Sequence, residues 1–293
     1  MKINISDWVA KSKTNLGKYI IRQGIEILIN AIADTKLLKA NMYLKGGNLM
    51  AIAHQSQRTT GDVDFSWLEP FNKDNLLPID KIINESLNES LNDARNRLGY
   101  LNFRCKVQTI TKKPHKWNVN KKISFPALEI TIGCAESDTK QAKLLEDNKC
   151  QQTFSVDISF NEEIMDCQEL ILDNGKSSIN AYSPIEIIAE KFRALIQQPQ
   201  RKRCRRQDVY DINFLINRFS YDEDEKSLVL KNLIVKSKSR NVGVDINSLS
   251  NDEIKMLSGK DWSTMKLELT DPLPDFNDCY ENIKNFYISL PWR

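Results

Sequence analysis

Two aspartates, Asp62 and Asp64, stand two residues apart in KGGNLMAIAHQSQRTTGDVDFSW, residues 45–67. Residues two apart on a β-strand share a face. DVDFSW read as a strand therefore puts both carboxylates on one side and Val63 and Phe65 on the other, where they can anchor a core. Aspartate is depleted in strands, and two adjacent like charges repel unless something neutralises them. A divalent cation does so, and hard oxygen ligands suit Mg2+ or Mn2+. The plainer alternative is an exposed strand face or a tight turn. Upstream, Gly46-Gly47 follows a strand-like MYLK and leads into a helix. Such a turn aims backbone N–H groups and a helix N-terminus at an anion, most usefully a phosphate. A phosphate cradle beside a two-carboxylate strand is what metal-assisted phosphoryl or nucleotidyl transfer requires.

Competing readings of these residues are weaker. An EF-hand loop starting at Asp62 needs Glu at its twelfth position, where the chain has Lys73. GxxxxGK[ST], the Walker P-loop, is absent. Asp62-Val63-Asp64-Phe65-Ser66 partly mimics an aspartyl-phosphatase motif, but RTTG precedes it in place of an apolar strand. A third carboxylate is available in TFSVDISF (153–160), where Asp157 lies between Val156 and Ile158. It could bind one metal and help deprotonate an attacking hydroxyl, or simply face solvent on an edge strand with Ser155 and Ser159. Glu129 in FPALEITIG (125–133) is the second choice. Lys191, beside the apolar stripe of a helix, either snorkels or reaches a triphosphate as a point charge.

The elements that must position these residues follow from periodicity. Apolar spacing predicts helices over 16–34, 48–55, 78–98, 183–198 and 207–219, with a terminal helix near 275–289. Strands are expected at 42–47, 62–67, 100–110, 125–133, 153–160 and 168–172. The 183–198 helix opens with Ser183, Pro184 and Glu186, a capping-box arrangement. About 180 residues of mixed α and β thus precede about 110 helical ones, an α+β unit with a helical appendage.

Composition bounds the rest. The chain has 293 residues, 41% hydrophobic and 28% charged, and a net charge of +3, too small to imply nucleic-acid binding by itself. The local exception is RKRCRR at 201–206. Cys105, Cys134, Cys150, Cys167, Cys204 and Cys279 form no CxxC pair, and His54 and His115 are the only histidines, so a zinc site of ordinary spacing is not expected. With no signal-peptide core and no run of some 18 apolar residues, the expectation is a cytoplasmic protein with reduced thiols and no membrane partner.

Four segments in order resemble one family. They are LKGG (44–47); Arg58, Thr60, Asp62, Val63, Asp64 and Phe65; Pro184, Glu186, Ala189-Glu190-Lys191 and Ala194-Leu195; and Arg206-Gln207-Asp208-Val209-Tyr210-Asp211. Together they resemble the AbiEii/AbiGii-type toxins, a branch of the polymerase-β-like nucleotidyltransferases. The resemblance implies a mixed-sheet nucleotidyltransferase core over 1–182 and a helical C-terminal domain over 183–293. It implies Mg2+ or Mn2+ on Asp62, Asp64 and Asp157, and an NTP or dNTP substrate with Gly46 and Gly47 as the phosphate turn. Arg58, Thr60 and Asp208 join the nucleotide site, and Lys191 contacts the triphosphate. The expected activity is transfer of a nucleoside monophosphate to an acceptor hydroxyl with release of pyrophosphate, in a toxin–antitoxin or antiphage setting. The acceptor could be nucleic acid such as tRNA, a protein, or another nucleotide, and an antitoxin or effector protein is the expected partner. Synthesis of a nucleotide signal and a catalytically silent binding fold are the alternatives. Where the family commonly has Thr or Ser after the second glycine, this chain has Asn48, which can still cap the helix and hydrogen-bond a phosphate oxygen.

Overall fold

The structure, a computed structural model, describes residues 1–70, 79–114, 125–173 and 175–292. Lys73, His115 and residue 78 at the start of an expected helix lie outside them. The strands are β1 (Met42–Lys45), β2 (Asp62–Trp67), β3 (Phe103–Lys113), β4 (Ala127–Glu136), β5 (Thr153–Ser159), β6 (Cys167–Ile171) and β7 (Ser178–Tyr182). The helices are α1 (Ile5–Ala10), α2 (Leu16–Asp34), α3 (Lys36–Asn41), α4 (Gly46–Ala53), α5 (Ile79–Arg97), α6 (Lys140–Glu146), α7 (Pro184–Ile196), α8 (Gln198–Arg201), α9 (Arg206–Arg218), α10 (Glu223–Ser239), α11 (Asp252–Gly259) and α12 (Phe276–Ile288).

The chain forms two compact units. One comprises residues 1–54, 60–162 and 168–181, the other residues 55–59, 163–167 and 182–293. The strands form one mixed seven-stranded sheet in the order β3-β4-β5-β2-β1-β7-β6. β2 runs parallel to β5 and antiparallel to β1, while β4 is antiparallel to both β3 and β5. Alternation sorts the central strands as expected of a half-covered sheet. Val63, Phe65, Leu128, Ile130, Ile132, Val156 and Ile158 are fully buried on one face, leaving the aspartates on the other.

Helix α2 was expected to be amphipathic, but every residue from 23 to 33 is buried. Sheet on one side and the neighbouring helices α1, α3 and α5 on others enclose it. Gly24 permits the approach to the sheet, because a Cβ there would meet Cys134 Sγ at 2.4 Å and the Phe154 ring at 2.8 Å. β7 and α6 were not anticipated. β7 is a short SINAY segment with four of its five residues buried, so it lacks the alternation that marks a half-exposed strand, and it pairs parallel with β1.

In the helical unit, α7 begins as predicted, with Ser183 accepting the N–H of Glu186. The reciprocal half of the capping box is missing. The Glu186 carboxylate is fully buried and instead takes Lys236 of α10 at 2.7 Å and the Asn232 amide at 2.9 Å. A buried ion pair to α10 has displaced the local cap.

Candidate active site

Strand register assembles the carboxylates into a row. Asp64 of β2 lies opposite Asp157 of β5, and Asp157 lies opposite Glu129 of β4. On the other side of Asp64 stands Lys45 of β1. Opposed residues on neighbouring strands project to the same face, so one line across four strands reads Lys45, Asp64, Asp157, Glu129. Asp62 lies on this face one row away, opposite Ser155. Burial pushes the Asp62 carboxyl up, and Asp157 and Glu129 add to the rise, which Lys113 partly offsets. The row is flanked by positive charge. Lys45 pairs with Glu162, which also accepts from the Ser66 hydroxyl. At the other end Lys113 Nζ lies 2.9 Å from Glu129 Oε2 and 3.5 Å from Asp157 Oδ1.

The β1–α4 turn meets this row directly. Gly46 has φ +71°, in the region that favours glycine. A Cβ at this position would lie 2.0 Å from Asp64 Oδ2. Gly46 therefore leaves room for the carboxylate, and Gly47 follows it in the first turn of α4. Asn48 is 1% exposed, and its side-chain amide donates to the Asp62 carbonyl at 2.7 Å. Its side chain thus ties the start of α4 to the start of β2. Thr60 is half-buried in the loop before β2.

The donor set fits a hard divalent cation. The oxygens are carboxylates, Asp64 and Asp157 are paired across the sheet, and Gly46 keeps the space beside Asp64 clear. Among the described residues no three acidic, histidine or cysteine side chains converge into a complete cage. Mg2+ does not require one, because it is typically held by one or two carboxylates with substrate phosphates and water completing the octahedron.

The remaining residues of the resemblance collect in the helical unit. Lys191 of α7 contacts Asp208 at 2.7 Å and Asp211 at 2.8 Å, both on α9. The Arg58 guanidinium grips Asp211 through Nε at 3.1 Å and Nη2 at 2.8 Å. Asp211 is completely buried, and Arg58 is 9% exposed. Two cations and two carboxylates thus balance out of water. Burial alone would push the Asp211 carboxyl up, but the charges and hydrogen bonds of Arg58 and Lys191 hold it down at about 2. For Lys191, burial works against the charged form, and Asp208 and Asp211 outweigh it and raise its pKa. Its burial rules out a snorkelling surface lysine. Asp208 Oδ2 has no hydrogen-bond donor among the described residues, with Arg205 Nε 3.9 Å away.

The family model for the AbiEii nucleotidyl transferase toxin of type IV toxin–antitoxin systems matches residues 28–282. The chain belongs to the AbiEii family. None of the curated proteins matches it by sequence. Among solved structures, MenT4, a nucleotidyltransferase toxin from Mycobacterium tuberculosis, aligns at TM-score 0.55 and 13% identity, over 98% of this chain and 90% of that one. JHP933 from Helicobacter pylori aligns at TM-score 0.46 and 15% identity, over 93% and 90%. The mixed sheet is the nucleotidyltransferase fold that the resemblance implied.

Some residues of the carboxylate row and of the ion cluster are not marked by the sequence. Asp211 lies inside a quoted motif, yet only its complete burial marks it as the centre of the ion cluster. Glu162 carries no motif signal. Lys113 is concealed by register. Val107 pairs with Ile132 on the core face, but Thr109 pairs with Thr131 on the carboxylate face. The intervening bulge at residue 108 inverts the alternation for the rest of β3. Counted by twos from Val107, Lys113 would face the core.

Proposed function

We propose that this chain transfers a nucleoside monophosphate from a nucleoside triphosphate to an acceptor hydroxyl, releasing pyrophosphate, as the toxin of a toxin–antitoxin pair. The observation that carries this reading is the Gly46 turn set against Asp64 in line with Asp157. In this reading Asp62, Asp64 and Asp157 hold Mg2+ or Mn2+. When bound, the cation neutralises charge developing on the phosphoryl oxygens. The backbone N–H groups at Gly46 and Gly47 receive the anionic end of the nucleotide at the start of α4. Asp157 accepts the proton of the attacking hydroxyl. The hydroxyl oxygen bonds to the α-phosphorus as the bond to pyrophosphate breaks.

The resemblance assigns Lys191 to the triphosphate and places Arg58 and Asp208 in the nucleotide site. Their mutual pairing supports a supporting role for them, in which α7 and α9 are held by balanced charge. RNA is the acceptor favoured by the exposed cations Arg201, Lys202 and Arg203, and an antitoxin is the expected regulator.

The test is pyrophosphate release by the purified protein with Mg2+ or Mn2+ and each NTP and dNTP, with and without total tRNA. Mass spectrometry of RNA, protein and small-molecule products follows. Turnover that requires RNA supports the proposal, while soluble oligonucleotide products would favour synthesis of a nucleotide signal. No release under any condition, with an Asp64→Asn variant equally silent, would leave the fold as a binding module.

A further inference from the structure

Asp62, Asp64, Asp157 and Glu129 place four carboxylates on one face of a sheet. Like charges at this spacing need a counter-charge whenever no cation is bound. The ammonium of Lys113 supplies it, reaching Glu129 and Asp157 together. Its stem starts from an edge strand, and its side chain is 48% exposed, so it can leave without unpacking a core. The bulge at residue 108 turns it to this face, and such bulges re-aim side chains beside active sites. Glu129 is nearer to this ammonium than Asp157 is.

We infer that Lys113 is a resident counter-ion of the carboxylate row, which a divalent cation must displace from Asp157 and which Glu129 then retains. The inference rests on the reading of Asp157 as a cation ligand. It makes Lys113 and Glu129 positioning residues that set how much cation the site needs. A four-carbon stem ending in a compact point charge suits such an exchange, since the ammonium can pivot between carboxylates.

Mn2+ alone, without nucleotide, is the probe. Thermal melting of the full chain across a Mn2+ titration gives an apparent Kd for each variant. Lys113→Met should bind Mn2+ about three- to tenfold more tightly than the wild type, the scale expected for loss of a partly exposed competing ion pair. Glu129→Gln leaves the ammonium to Asp157 and should weaken Mn2+ binding by a similar factor. Lys112→Met removes the same charge from the neighbouring position, where the ammonium pairs with Asp80 at 2.9 Å, and should stay within about twofold of wild type. Tighter binding by Lys113→Met alone supports the inference, as does binding by that variant when the wild type shows none. Equal affinities for Lys113→Met and wild type, or an equal gain in Lys112→Met, overturn it while leaving the cation site standing. If neither the wild type nor Lys113→Met responds to Mn2+, both the inference and the cation reading fall.

Discussion

At the residue scale, two carboxylates give opposite expectations. Asp64 lies in the like-charged row, so Asp64→Asn relieves repulsion. Pyrophosphate release should fall about 10²–10³-fold, with the melting temperature within about 2 °C of wild type. Asp211 is buried between Arg58 and Lys191. Asp211→Asn takes the bidentate partner from buried Arg58 and leaves Lys191 with Asp208 alone, and should cost about 3–5 kcal/mol, read as a melting temperature lower by on the order of 10 °C. Its pH dependence has a definite sign. The folded pKa is about 2, below the roughly 3.9 of an unfolded aspartate, so the stabilisation is complete above about pH 4. It is lost as the pH falls from about 4 towards 2. The melting difference between wild type and Asp211→Asn should therefore hold from pH 7 to 5 and shrink below 4. Asp62, Asp64 and Asp157 were legible because acidic residues inside apolar strands are conspicuous. Asn48 was legible as a polar residue at a helix start, but the backbone carbonyl of Asp62 that its amide meets depends on how α4 and β2 pack.

At the element scale, the β1–α4 turn is the most exacting piece of local structure. Gly46→Ala meets both an unfavourable φ and the Asp64 carboxylate at 2.0 Å. It should lose activity and melt lower, by about 1 kcal/mol for the backbone alone. Gly61→Ala, with nothing within 4 Å of the added methyl, should retain both properties, and circular dichroism with pyrophosphate assays separates the two. The long helices other than α10 (Glu223–Ser239) and the alternating strands were readable to within a few residues, because each carries its own period. Pairing was not. A parallel β2–β5 contact joins segments some 90 residues apart, and nothing in either segment names its partner. The same limit hid the Glu186–Lys236 pair, since a carboxylate three residues after an N-cap serine satisfies the local capping rule whether or not a lysine on a distant helix claims it.

At the scale of the whole molecule, the basic run 201–206 extends from the last residue of α8 to the first of α9 and belongs to the helical unit. Arg205 and Arg206 turn towards Asp208 and Glu268. Arg201, Lys202 and Arg203 are exposed. Partial desolvation of its exposed side chain and the crowding of Arg193, Arg203 and Arg205 lower the Arg201 pKa. Replacing Arg201, Lys202 and Arg203 by Gln should weaken RNA binding and flatten its log–log salt dependence by about 2–3, as followed by filter binding at several ionic strengths. An unchanged slope would make the run a connector only. The α+β class was visible in the order of periodicities, strands first and helices after. That residues 55–59 and 163–167 join the helical unit was not, because short irregular segments carry no period. This membership has a consequence for synthesis. Arg58 leaves the ribosome 153 residues before Asp211, a delay of roughly 10–30 s at ordinary elongation rates. The Lys45–Asp64–Asp157–Glu129 row is fully translated well within that interval, while the ion cluster must wait for α9. A nascent chain thus carries its carboxylates before the buried charges of its helical unit can balance, and a stall or premature stop before residue 211 would leave Arg58 without its carboxylate partner.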